Sequence, residues 1–195
     1  MSGAITSIKP EIRVIGFDDC GFTFKSKDVL VVGAVFRGGV FLDGLISTRV
    51  KVDGLDSTEK LINCVKSGRH FNQPRLIMLN GITFGGFNIV DIKALSKETA
   101  LPVIVVIRHK PDMLSIKKAI SKFKDKGKRS SLIEKAGPIR PVRIENLSGK
   151  STIYYQTAGI GKETAEKLIK STATRATIPE PLRIAHIICS GLKDA

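Results

Sequence analysis

Leu101-Pro102-Val103-Ile104-Val105-Val106-Ile107 carries no polar side chain. A strand with one wet face alternates apolar and polar residues, so a run that is apolar at every position needs cover on both sides. That is the setting of a strand inside a parallel sheet sandwiched by helices. Arg75-Leu76-Ile77-Met78-Leu79 is a second such run and ends at Asn80-Gly81. A third, Arg13-Val14-Ile15-Gly16-Phe17, stops at Asp18-Asp19 before Cys20-Gly21. Two further runs behave differently. Val29 to Phe36 is followed by the turn Arg37-Gly38-Gly39, and in the stretch from Val40 to Val52 the residues Ile46, Thr48, Val50 and Val52 alternate with Ser47, Arg49 and Lys51. Short turns joining three strands make an antiparallel meander. The expected fold is therefore α/β, one mixed sheet in which a three-strand antiparallel meander is continued by parallel strands, flanked by helices.

The helical segments follow from capping residues and apolar spacing. Asp56-Ser57-Thr58-Glu59 has the spacing of a capping box before Leu61, Ile62 and Val65, which gives Glu59 an ordinary structural explanation. Asn88 is read as the cap of a short helix with Ile89, Ile92 and Leu95 inward. The spacing of Met113, Ile116, Ile120 and Phe123 predicts a helix over 112–124, with a basic zone extended by Lys126, Lys128 and Arg129. Pro138 to Leu147 shows no regular pattern, Ser151 to Thr157 reads as a strand, and Lys162 to Thr172 as a helix. The last helix, Leu182 to Leu192, is apolar round most of its circumference and is expected to be buried, with Arg183, His186 and Ser190 as its polar stripe. A histidine there is more often a hydrogen-bonded core residue than a ligand.

At 195 residues with 42% apolar content, the chain reads as a single domain, 1–195. Three scattered cysteines, Cys20, Cys64 and Cys189, suit neither a disulfide framework nor a structural zinc site, so a reducing, cytoplasmic location is expected. Met1 to Pro10 lacks the apolar core of a leader, and no run is long enough for a membrane span. Thirty-two Lys and Arg against 18 Asp and Glu give a formal charge of +14, which points to a polyanion. Without a basic amphipathic terminal helix or lipidation signal, nucleic acid is the expected partner and a membrane is not. Candidate phosphate contacts are Arg49 and Lys51 on the wet face of the third strand, and Lys117, Lys118 and Lys122 on the basic helix. The alternative for these lysines is an ordinary solvated face. Oligomeric state is left open.

Nucleotide-binding motifs fail. Gly149-Lys150-Ser151 lacks the upstream glycine of a phosphate-binding loop, which would fall at Ile144, and no GxGxxG follows a strand. Acidic metal ligation is more productive, because carboxylates bind Mg²⁺ and phosphoester hydrolysis uses metals to activate water. Asp18 and Asn80 end two strands and Glu59 opens the helix between them. If those strands are parallel neighbours, all three converge.

Together these segments resemble endonuclease V, a metal-dependent nuclease of the ribonuclease-H-like fold, and more closely a mainly archaeal family related to it. The likeness spans almost the whole chain. Gly16-Phe17-Asp18 lies where that enzyme carries its first catalytic Asp, and Glu59 where it carries its catalytic Glu. Leu76 to Gly81 resembles the strand that delivers the second Asp, and Leu101 to Arg108 a later strand ending in Lys. Ile178-Pro179-Glu180-Pro181-Leu182-Arg183-Ile184-Ala185-His186 is the most specific match and implies a metal role for His186. The resemblance thus implies Asp18, Glu59, Asn80 and Arg108 as catalytic residues, Asp18, Glu59 and His186 as ligands, and Mg²⁺ or Mn²⁺ as cofactor. Four departures qualify it. Asn80 replaces the second Asp and weakens the ligand set. Gly86 stands where a histidine would follow, Arg108 replaces Lys, and Thr48 to Asp56 holds no Pro and Tyr wedge. Two functions follow from this, a divalent-metal-dependent phosphodiesterase on DNA or RNA with an altered site, or a catalytically inactive nucleic-acid-binding module on the same fold. A metabolic enzyme acting on a small phosphorylated molecule is a third class.

Overall fold

The computed structural model describes residues 10–23, 25–68 and 73–192; the start of the chain read for a leader lies outside them. The expected meander is present as β1 (Arg13–Asp19), β2 (Asp28–Arg37) and β3 (Phe41–Lys51). Then come α1 (Ser57–Ser67), β4 (Leu76–Asn80), a short hairpin of β5 (Thr83–Phe84) and β6 (Asn88–Ile89), α2 (Ile92–Thr99) and β7 (Val103–Ile107). The rest is α3 (Met113–Ile120), α4 (Lys126–Lys135), β8 (Arg140–Asn146), β9 (Gly149–Ala158), α5 (Lys162–Thr172) and α6 (Glu180–Gly191). The main sheet has the order β3-β2-β1-β4-β7-β9-β8. β1, β4 and β7 are parallel neighbours, with β2 and β3 antiparallel on one side and β9 and β8 antiparallel on the other. This is the mixed, helix-flanked sheet expected.

The unbroken apolar runs are explained by the two faces of the parallel centre. Ile15, Phe17, Ile77, Leu79, Val103 and Val105 pack under α1 and α2 against Leu61, Val65, Ile92 and Leu95. Val14, Leu76, Met78, Ile104 and Val106 pack on the opposite face against Ala165, Leu168 and Ile169 of α5 and Leu182 of α6. Alternate residues of each strand thus enter different cores. Gly16 faces α6, where an added Cβ would come within 2.6 Å of the Pro181 carbonyl oxygen, so the helix can reach the strand only over a glycine.

Several local expectations are corrected. The irregular stretch 138–147 contains β8, an edge strand whose Pro141, Arg143 and Glu145 are exposed while Val142 and Ile144 are buried. Proline and charge are what an edge strand tolerates, and they mask the strand pattern. The 112–124 helix stops at Ile120, and α4 begins separately. Arg129, read as part of a solvent-facing basic zone, is only 2% exposed. Its guanidinium donates to Asp53 O (2.6 Å), Gly54 O (3.2 Å), Phe87 O and Asp125, and lies over the Phe123 ring. Nor is α1 closed by an Asp56 to Glu59 box. Asn88 does this from across the fold, its Oδ1 accepting from Ser57 N (3.0 Å) and its Nδ2 donating to Lys51 O and Asp56 Oδ1. The cap of α2 is Asp91, which accepts from Ala94 N. Finally, α6 is not buried all round, since Ile187 is exposed.

Candidate functional site

The parallel register brings the C-terminal ends of β1, β4 and β7 to one edge of the sheet. Asp18 ends β1 on the face covered by α6, two residues beyond the Gly16 contact with Pro181, and is 4% exposed. One turn and a half further along α6 stands His186, whose Nδ1 lies 2.8 Å from Asp18 Oδ2. The histidine side chain is 48% exposed, so the pair joins a buried carboxylate to a ring open to solvent. Asp18 Oδ1 accepts from Asp19 N, and the Cys189 thiol one turn along α6 donates to Asp18 O at 3.5 Å. Both partners are thereby held in orientation.

Asp19 turns to the other face, where its Oδ2 accepts from Gly85 N at 2.7 Å, and burial raises its carboxyl above the ordinary range. Gly85 belongs to the loop after Asn80, so this bond ties the ends of β1 and β4 together. Gly86, where the resemblance would place a histidine, has φ +84 beside the Asp53 carboxylate, a conformation and a space that admit no side chain. The thiols of Cys20 and Cys189 are both pushed up chiefly by burial, so neither is an activated nucleophile.

Of the other expected residues, Asn80 comes into the row beside Asp18. Phe17 pairs with Leu79 in the parallel ladder, so the next step sets Asp18 next to Asn80. Arg108 follows β7 directly and is exposed. Glu59 is exposed at the start of α1 and has no hydrogen-bond or ion-pair partner among the described residues. The structure therefore brings Asp18 and His186 into contact and leaves Glu59 apart from them. Among the described residues no group of three or more His, Cys, Asp and Glu side chains is placed to hold a metal ion together. Lys51, Lys117, Lys118 and Lys122 are exposed, while Arg49 donates to Asp28 at 2.7 Å. Because Arg129 pins α4 to the 53–54 turn, the lysine-bearing α3 and α4 sit close to the end of β3 that carries Lys51.

The supporting residues Asn88 and Arg129 were missed in the sequence. The signals that mark them are Asp125 four residues before Arg129, an ion-pair spacing, and Asp91 immediately before the periodic Ile92, a better cap position than Asn88. Among the described residues no helix is long and apolar enough to cross a membrane.

Comparison with known proteins agrees with this geometry. The family model described as endonuclease dU matches residues 10–193. A UPF0215 protein from Methanothermobacter thermautotrophicus is 52% identical over 187 residues, covering 95% of this chain and 89% of its own. The crystal structure of a protein of unknown function from Archaeoglobus fulgidus superposes with a TM-score of 0.83 at 38% identity, over 94% of this chain and 99% of that one. Endonuclease V from Ciona intestinalis, crystallised with a 24mer DNA containing an inosine followed by a ribo-adenosine, superposes with a TM-score of 0.60 over 89% of this chain and 82% of that one. At 16% identity, this last likeness is one of fold. A match almost from end to end, on a ribonuclease-H-like sheet, leads to one assignment: the chain belongs to the endonuclease dU family.

Proposed function

We propose that the protein is a nuclease-type phosphodiesterase acting on DNA or RNA, with Asp18 and His186 at the centre of its site. The observation that supports this most directly is the 2.8 Å contact between them at the C-terminal edge of the parallel strands. In α/β sheets that edge is where ligands bind. Family membership and the likeness to a DNA-bound endonuclease V fold support a nucleic-acid substrate. Mg²⁺ or Mn²⁺ is the cofactor proposed. The donor set suits such an ion in its loosely held form, since Mg²⁺ commonly takes one or two carboxylates and completes its shell with water and phosphate oxygens. Asp18 would hold it, with His186 alongside. Glu59 has no partner to give up and is free to join when substrate binds. When bound, the ion supplies water activation and charge neutralisation at the phosphoryl group. Arg108 contacts phosphate, as do Lys51, Lys117, Lys118 and Lys122. Arg49 reaches phosphate only by leaving Asp28.

The test is a cleavage screen with Mg²⁺ or Mn²⁺ over single-stranded and duplex DNA and RNA. It includes deoxyuridine, after the family's name, and inosine, after the DNA in the Ciona complex. Wild-type protein cleaves at least one of these, and Asp18→Ala and His186→Ala reduce the rate by about a hundredfold or more. Cleavage surviving Asp18→Ala ends this reading. The absence of a three-residue ligand group among the described residues favours a second reading, a non-catalytic nucleic-acid-binding module. It is distinguished by salt-dependent binding with no cleavage of any substrate under either metal.

A further inference from the structure

Asn80 and Arg108 are polar residues at the site edge whose side chains have no hydrogen-bond or ion-pair partner among the described residues. Positions 18, 80 and 106 lie in one row across three parallel strands, since Phe17 pairs with Leu79 and Asn80 with Val106. The row also shares a face. Met78 and Val106 enter the core beneath α5 and α6, so two-residue alternation turns Asn80 to the side occupied by Asp18 and His186. Arg108 follows β7 directly, two residues beyond Val106, and is exposed at the same end of the sheet. Neighbouring strands are about 4.8 Å apart, within the span of one phosphodiester group and its contacts.

The three positions differ in what they have left to offer. The Asp18 carboxylate contacts His186 and accepts from the Asp19 amide, and as an anion it offers nothing to a phosphate. The half-buried Asn80 side chain and the exposed Arg108 guanidinium have no hydrogen-bond or ion-pair partner among the described residues. Gly81, directly after Asn80, has φ +87 and open space where a side chain would begin, so nothing from that residue covers the amide. Charge across this edge runs from negative at Asp18 through neutral at Asn80 to positive at Arg108, two residues past the row. An anion is drawn to the far end of such a row, and a cation to the near end.

We infer that Asn80 is a substrate contact in place of a metal ligand, and that with Arg108 it forms a cradle for one phosphodiester group. Asn80 Nδ2 donates to a non-bridging phosphoryl oxygen, and the Arg108 guanidinium neutralises the same group by bidentate donation. The cradle holds the phosphate beside Asp18 and His186. A carboxylate at position 80 could not do this, because it has no donor and repels the phosphate. Replacement of an acid by an amide here then exchanges a cation contact for an anion contact. This inference rests on the phosphodiester reading above, and it is tested without cleavage.

The probe is a short fluorescein-labelled single-stranded DNA, titrated in chelator so that no metal takes part. Asn80→Ala weakens binding several-fold. Asn80→Asp weakens it by about tenfold or more, because a like charge now faces the phosphate. Arg108→Ala weakens it and makes the slope of log affinity against log salt shallower by about one contact. Asn80→Ser, which keeps a small donor, falls between wild type and Asn80→Ala, and thermal melts confirm that each variant is folded. Manganese affinity, measured without nucleic acid, is the same for wild type and Asn80→Ala. Wild-type DNA affinity in Asn80→Asp, or a loss of manganese affinity in Asn80→Ala, overturns the inference. Failure of the wild-type protein to cleave any substrate would instead count against the proposed reaction and leave these binding results standing.

Discussion

Residue by residue, the site depends on close approaches that only small or correctly turned side chains allow. Gly16 is the clearest case. With a Cβ at this position, the Pro181 carbonyl oxygen and ring would have to move, and α6 carries His186. Gly16→Ala is expected to destabilise the protein by about 1–3 kcal/mol, the range for forcing extra volume into a packed contact, and to disturb the Asp18 to His186 pair. A thermal melt reads the first effect and residual cleavage of the best substrate reads the second; an unchanged melt would contradict the packing argument. Much of this scale was legible in the sequence, because Asp18, Asn80 and Arg108 end apolar runs and His186 stands in a polar stripe. What was not legible was which faces met. Glu59 has the spacing of a capping box, yet Asn88 performs the capping from 31 residues away in the chain, a contact that no local pattern encodes.

At the level of elements, the two basic helices owe their position to one buried guanidinium. Arg129 satisfies carbonyls of the turn before α1 and of the turn between β5 and β6, so it joins a peripheral module to the sheet edge. Arg129→Met is expected to cost roughly 3 kcal/mol, the scale of hydrogen bonds to a charged group, and to expose the 108–126 segment to protease. The side-chain bond to Arg129 holds Asp125 below the usual carboxylate range. A carboxylate with a lowered folded pKa adds stability above its unfolded value, and that stability is lost as pH falls through the folded value. Docking of α4 should therefore be intact at neutral pH and weaken below about pH 4. Protease sensitivity of the segment, followed down the pH scale, checks this, and Asp125→Asn should flatten the response. These helices were visible in the sequence only as charge and apolar spacing. Arg129 was grouped with the basic zone of lysines around it, and a buried arginine cannot be told from an exposed one by composition.

Across the whole molecule, the sheet order and the distribution of charge act together. The parallel centre places the candidate site at one edge, and docking of α4 brings a lysine-bearing surface towards it. If that surface binds nucleic acid, replacing Lys117, Lys118 and Lys122 by Gln should make the salt slope on single-stranded DNA shallower by about two, at about 0.7 per phosphate contact. An unchanged slope would mean that these lysines are simply solvated. The α/β class and most of the strand order followed from apolar runs alone. Ser151 to Thr157 was legible as the strand that became β9, but β8 was not, because Pro141, Arg143 and Glu145 interrupt its pattern.

The Asp18 to His186 contact closes a separation of 168 residues. In synthesis, the carboxylate emerges 168 residues before its histidine. A ribosome-bound or prematurely terminated chain ending before α6 therefore carries the strand, the basic helices and whatever affinity they give, but not the completed pair. Any chemistry that needs both groups starts only after α6 has been made, so a fragment that stops short of α6 could occupy nucleic acid without cutting it.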